Sequence, residues 1–182
     1  MINEISKILV SEKEIDEAVT RIAAEIDRDY MGKSEHLVLL GILKGSVPFL
    51  ADLMKKIKSN PEIELMKVSS YGAGTKTSGS VKIVLDWQRE TISDCDIVIV
   101  EDIIDSGRTL SYLCEYLKQK GAKSVRTCTM LDKPSRREVD FVPDYCGVAV
   151  PDEFVVGYGL DYAERYRALP YIGVLKREVY EK

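Results

Sequence analysis

The sequence predicts an α/β fold: an open, mainly parallel, twisted sheet flanked by helices, with a small irregular hood and a mobile lid loop. Three observations point there. The apolar runs Leu37–Ile42 and Ile97–Val100 have the length and continuity of buried strands, and Val125–Leu131 reads as a further strand. The first two are each followed by a short polar loop and then by apolar residues at helical spacing, the layout of a strand–loop–helix unit. Polar side chains, Lys44, Glu101 and Lys133, stand just past these runs. In an open parallel sheet that rim, near the point where strand order reverses, is where ligands bind.

The 182 residues suit one domain spanning 1–182, long enough to bury a substantial core. A formal net charge of −4 argues against a general nucleic-acid binder, although a local basic pocket remains compatible with it. The apolar runs are too short to span a bilayer and the N-terminus lacks a signal-peptide pattern, so no membrane partner and cytoplasmic residence are expected. Cys95, Cys114, Cys128 and Cys146 form no CxxC pair and read as buried reduced thiols. The only histidine, His36, reads as a surface or strand-edge residue.

In chain order, Ser11-Glu12-Lys13-Glu14 is a capping-box pattern. Ile15, Ala18, Val19, Ile22, Ala23 and Ile26 follow at a 3.6-residue period, which predicts an amphipathic helix over 11–26 that covers the core. After the strand Leu37–Ile42, Pro48 suits a first helical turn, with Phe49, Leu50, Leu53, Met54 and Ile57 as the apolar face. Ile63–Val68 and Val81–Leu85 read as strands joined by a Gly/Ser/Thr-rich loop over about 69–80, long enough to be a functional lid, with a plain hairpin connection as the alternative. Trp87 reads as packing.

The strand Ile97–Val100 leads into Glu101-Asp102-Ile103-Ile104-Asp105-Ser106-Gly107-Arg108-Thr109, and Leu110, Leu113, Cys114 and Leu117 then mark a helix stopped at Gly121. Backbone N–H groups at such a helix start can hold a phosphate, with Ser106 and Thr109 adding hydroxyls and Gly107 permitting close approach. Carboxylates beside a phosphate cradle repel the phosphate unless something donates to both. Sugar hydroxyls or a divalent cation would do so, which points to a ligand carrying phosphate and hydroxyls together with Mg²⁺. The loop is neither a GxxxxGK[ST] phosphate loop nor a GxGxxG fingerprint.

Residues of about 145–170 are rich in glycine, proline and aromatics and predict a compact irregular segment in which Phe154 either fills the core or stacks on a planar heterocycle. Tyr171–Leu175 reads as the last strand, and the charged tail 176–182 as exposed.

These residues together resemble the type I phosphoribosyltransferases over nearly the whole chain, and more narrowly the hypoxanthine-guanine phosphoribosyltransferases of purine salvage. Glu101–Thr109 matches that family's phosphoribosyl pyrophosphate motif, Phe154–Tyr162 its purine-recognition segment, Leu43-Lys44-Gly45 its pyrophosphate loop and Ser70-Tyr71 its lid. The resemblance implies transfer of a phosphoribosyl group to hypoxanthine or guanine. Glu101, Asp102, Asp105, Ser106, Gly107, Arg108 and Thr109 would bind ribose and 5′-phosphate, and Asp105 would accept the purine proton. Lys44, Gly45 and Arg167 would bind pyrophosphate, with the Leu43–Lys44 peptide cis as in relatives. Lys133, Phe154, Val155 and Asp161 would bind the purine. Mg²⁺ would be held by Glu101, Asp102 and, as a second ion, Asp161; the partners implied are small-molecule substrates and a homodimeric or homotetrameric assembly. Ser46 stands where some relatives carry a second glycine.

The rival activities are a phosphoribosyltransferase with another base preference and a non-catalytic regulator that senses phosphoribosyl pyrophosphate and binds RNA. An ammonium at position 133 cannot accept from a 6-amino group, which disfavours adenine but not xanthine. The RNA-binding regulator would need a basic face, against which the net charge of −4 argues.

Overall fold

The computed structural model describes residues 2–70, 81–87 and 89–181. In order, the elements are β1 (Ile5–Val10), α1 (Glu12–Tyr30), β2 (His36–Leu43), α2 (Val47–Lys56), β3 (Glu62–Ser70), β4 (Val81–Leu85), β5 (Cys95–Ile104), α3 (Arg108–Gln119), β6 (Ser124–Asp132), β7 (Tyr145–Ala149), β8 (Val155–Val156), β9 (Ile172–Leu175) and α4 (Arg177–Tyr180). Six strands form the main sheet in the order β4-β3-β2-β5-β6-β7. Its neighbours β3, β2, β5, β6 and β7 run parallel, and β4 is an antiparallel edge. Among the described residues, no helix is long and apolar enough to cross a membrane.

Side chains alternate across a strand, so a run of apolar residues feeds both faces of the sheet. In β5, Val98 and Val100 pack with α1 and α2, whereas Ile97 and Ile99 pack with α3. The two cores therefore lie on opposite faces of one sheet, and each fully buried Val, Leu or Ile contributes about 1.5–3 kcal/mol. Helix α1 starts with the expected capping box, Ser11 and Glu14 satisfying each other's backbone N–H, and all six predicted apolar positions are buried. It runs four residues further than the periodicity suggested, because Asp27 and Tyr30 are also buried.

Several expectations are corrected. Met54 is 46% exposed. One residue past Leu53, it is turned about 100° away from the α2 stripe that meets the sheet. The carboxylates Glu101 and Asp102 belong to the strand and not to a loop, since β5 continues to Ile104 and pairs with β6 as far as Asp132. Strand β1 carries no simple alternation and was not anticipated. It forms a separate antiparallel sheet, in the order β1-β9-β8, with the predicted final strand. The tail is not simply exposed either: Val179 and Tyr180 are half-buried. Of the predicted lid, about 69–80, residues 71–80, Tyr71 among them, lie outside the described residues, whereas 69 and 70 belong to β3, with Ser70 opposite Val81.

At the opposite end of the sheet from the equipped rim, Asp96 accepts from Ser34 Oγ at 2.6 Å, Lys123 Nζ at 2.8 Å and Ser124 Oγ at 2.6 Å. Burial pushes its carboxyl up, but the donors outweigh burial and hold it below its ordinary range. Asp96→Ala is expected to cost about 2 kcal/mol at neutral pH, a fall of about 4–8 °C in Tm. A depressed carboxyl means that the native state binds fewer protons than the unfolded one, so this stabilisation is full above about pH 4 and lost as pH falls through the native value. Melts of both proteins should therefore converge in acid.

Candidate active site

Strand order reverses between β2 and β5: the chain leaves β2 to build β3 on one side, and places β5 on the other. The C-terminal ends of these two neighbours bound a crevice, and they carry Lys44-Gly45 and Glu101-Asp102 respectively. The loop after β2 touches the end of β5. A Cβ on Gly45 would sit 1.6 Å from Asp102 Oδ2, and a Cβ on Gly159 would sit 1.8 Å from the Gly45 carbonyl oxygen. Glycine at both positions thus stacks the loop after β8 onto the loop after β2, and that onto β5. The Leu43–Lys44 peptide is cis. Ser46 is fully buried and donates its hydroxyl to the Ile42 carbonyl at 2.6 Å, which ties the loop back to β2.

Glu101 and Asp102 are neighbouring carboxylates, both partly buried. Burial, and then the charge of Asp102, pushes the Glu101 carboxyl well above its usual range. Asp102 is raised by burial too, although Glu101, the Ile103 N–H at 2.7 Å and the Arg167 charge act the other way. Such a pair gains from a cation or from hydroxyl donors. Past Asp105, Gly107 adopts φ +81° and starts α3, so the backbone from Ser106 to Thr109 wraps a helix N-terminus. Arg108 pairs with Glu138 at 2.5 Å, and both border the same cleft as Lys44 and Asp102.

A cleft of about 620 Å³ is lined by Lys44, Gly45, the run Glu101–Leu110, Asp161 and Arg167. A second cavity, of about 850 Å³, is lined by Lys133, Phe154, Val155, Tyr180 and other residues. Ile103 and Asp105 line both. Lys133 is buried at 7% exposure, donates to the Glu153 carbonyl at 3.0 Å and stands 3.6 Å from Asp105. At the cleft's other end, Arg167 donates to the Gly159 carbonyl at 2.8 Å and pairs with Asp161 at 2.9 Å. The arrangement offers an anion cradle, two carboxylates, a proton acceptor at the junction and a cavity with an aromatic wall.

Every predicted site residue from Lys44 to Arg167 other than the lid pair Ser70-Tyr71 borders one of these two cavities. Asp161 stands with Arg167, and no group of three metal-type side chains occurs among the described residues. Three participants were missed. Tyr180 lies against Phe154 with ring centroids 4.6 Å apart and planes 22° apart. The guanidinium of Arg137 donates to the Asp105 carbonyl and to the Asp132 carboxylate. Glu164 pairs with Lys44 at 2.9 Å. A tyrosine in a charged tail, one arginine among several and a carboxylate in a turn leave little local signal; only the aromatic character of Tyr180 could have raised it.

The model of the phosphoribosyl transferase domain family matches residues 7–163. The hypoxanthine-guanine phosphoribosyltransferase of Bacillus subtilis (strain 168) is 52% identical over 181 residues, covering 100% of this chain and 99% of that one. The bifunctional protein TilS/HprT of Listeria monocytogenes is 50% identical over 182 residues, and there the chain spans only 28% of the relative's length. A crystal structure of a hypoxanthine phosphoribosyltransferase from Staphylococcus aureus is similar at a TM-score of 0.93 and 44% identity, over 99% of this chain and 96% of that one.

Proposed function

The chain belongs to the phosphoribosyl transferase family, in its hypoxanthine-guanine branch, and from that premise we propose that it transfers the 5-phosphoribosyl group of phosphoribosyl pyrophosphate to N9 of hypoxanthine or guanine in purine salvage. The observation that carries the reading is the position of Asp105, on the wall shared by the anion cleft and the cavity of Phe154 and Lys133. A base in the one and a sugar phosphate in the other would meet beside its carboxylate.

The bond from the anomeric carbon to pyrophosphate breaks and the bond to N9 forms, through a transition state with positive charge on the sugar and growing negative charge on the leaving group. Ser106–Thr109 would hold the 5′-phosphate through backbone N–H groups and hydroxyls, and Glu101 and Asp102 would accept from the ribose hydroxyls. Lys44, Gly45 and Arg167 would bind pyrophosphate, Arg167 with its forked donors. Lys133 would donate to O6, Phe154 would stack on the ring, Val155 would pair through its backbone, and Asp105 would take the proton from N7. A carboxylate is a weak base, so contact geometry supplies much of its effect. Ser70-Tyr71 would close over the reacting centre and exclude water, since hydrolysis of an activated ribose is the competing reaction.

Mg²⁺ suits the crowded Glu101–Asp102 pair, because magnesium binds through one or two carboxylates with substrate oxygens and water completing its shell. Asp161 would help to hold a second ion, and when bound these ions would supply positive charge that neutralises the departing pyrophosphate. Cytoplasmic residence and a homodimeric or homotetrameric assembly belong to the same reading.

A spectrophotometric assay of hypoxanthine, guanine, xanthine and adenine with phosphoribosyl pyrophosphate and Mg²⁺ tests it. Turnover of hypoxanthine or guanine, with adenine inert, is expected. Fastest turnover of xanthine would shift the base assignment, and salt-dependent RNA retention without any turnover would replace the enzyme with a regulator.

A further inference from the structure

Residues Tyr162 and Arg165 pair across a two-residue turn whose central residues, Ala163 and Glu164, have φ +50° and +64°. Left-handed backbone at two successive non-glycine residues is unfavourable by itself and needs other contacts to hold it. One contact is local: the Glu164 N–H donates to Asp161 Oδ2 at 2.8 Å. The others are with one residue distant in the chain and one three positions on. The Glu164 carboxylate lies 2.9 Å from Lys44 Nζ and 3.4 Å from Arg167 Nη2, the two cations assigned above to pyrophosphate. Their charges act on it in turn: the hydrogen bond from Lys44 is the main cause that lowers the Glu164 carboxyl below its ordinary range.

One carboxylate therefore gathers the two positive side chains that bound the leaving-group end. With it removed, Lys44 and Arg167 would face each other with like charge. With it present, they are held close together at little cost, because the side chains of Glu164 and Lys44 are 65% and 53% exposed and such pairs are weak. A diphosphate carries more charge and more acceptor oxygens than a carboxylate, so it takes the same donors in preference. Arg167 also has a buried Nε–H without a partner, and its Asp161 contact does not depend on Glu164.

We propose that Glu164 is a built-in competitor that occupies Lys44 and Arg167 at the pyrophosphate subsite of the empty enzyme and is exchanged for pyrophosphate when the substrate binds. The proposal rests on the assignment of Lys44 and Arg167 to pyrophosphate. By competing for those cations, Glu164 weakens pyrophosphate binding and so favours release of the leaving group. The residue acts through the two cations and touches no reacting atom.

Calorimetric titration of inorganic pyrophosphate with Mg²⁺ into the wild type, Glu164→Gln and Glu164→Gly tests this. Glutamine removes the charge at constant shape, and glycine removes it while relieving the positive φ, so a folding defect in the first is separated from loss of the carboxylate. Both variants should bind pyrophosphate about fivefold more tightly, and KM for phosphoribosyl pyrophosphate should fall in step while KM for the base stays within about twofold. Unchanged or weaker pyrophosphate binding in both variants overturns the proposal, and so does tightening in the glycine variant alone, which would assign the effect to the turn. The titration needs no turnover, so inactivity toward every 6-oxopurine would fall on the proposed reaction and not on Glu164.

Discussion

Asp105→Asn is expected to lower kcat by about 100-fold to 10,000-fold, with KM for phosphoribosyl pyrophosphate within about threefold of the wild type. The substitution keeps the shape of the side chain and spares the contacts that hold the loop. The Asp105 carbonyl still accepts from Arg137, the Ser106 carbonyl still accepts from the Glu138 N–H at 3.0 Å, and Gly107 still starts α3. The proposed phosphate cradle consists of backbone after residue 105, so sugar-phosphate binding is expected to survive. What disappears is the proton acceptor on the wall shared by the two cavities. Steady-state kinetics with each substrate varied separately makes the distinction. An unchanged kcat removes Asp105 as the base, and an equal loss in both KM values makes it a structural residue.

The second large effect falls on the base. Lys133→Ala is expected to raise KM for hypoxanthine or guanine by about 10-fold to 100-fold and KM for phosphoribosyl pyrophosphate by less than about threefold, the worth of one charge-assisted hydrogen bond in a dry site. An ammonium has three donors. One goes to the Glu153 carbonyl, and Asp105 at 3.6 Å draws on a second more loosely, which leaves one for O6 of a purine. Lys133 is buried, so Lys133→Met, which keeps the stem, separates lost packing from the lost donor. If methionine restores the base KM, or if both substrates suffer equally, the O6 role fails.

Legibility in the sequence followed the range of the interactions. The three helical stripes, Met54 apart, the capping box at Ser11, the stop at Gly121 and the parallel strands rest on spacing and turn chemistry within about twenty residues, and they are present in the fold. Errors arose where tertiary contacts overrode local pattern. Glu101 and Asp102 looked like loop residues because they are charged, yet β5 carries them in register with β6. Strand β1 looked unremarkable because its partner, β9, lies about 165 residues later, and the pairing is a matter of topology. The tail looked solvated because it is charged, whereas its single aromatic, Tyr180, stacks on Phe154.

By itself the sequence determined that this is an α/β chain with a strand-to-helix junction at Glu101–Thr109, and with cationic and aromatic residues elsewhere that could serve one ligand. Those features depend on periodicity, charge and helix-start chemistry, all written in neighbouring residues. Only the tertiary structure decided that β2 and β5 are adjacent at the point where strand order reverses, that Gly45 lies against Asp102, and that Glu164 reaches Lys44. The physical reason is that strand order sets which loop ends meet, and strand order is chosen by the packing of whole elements on a shared core, to which no single stretch of chain contributes more than a part.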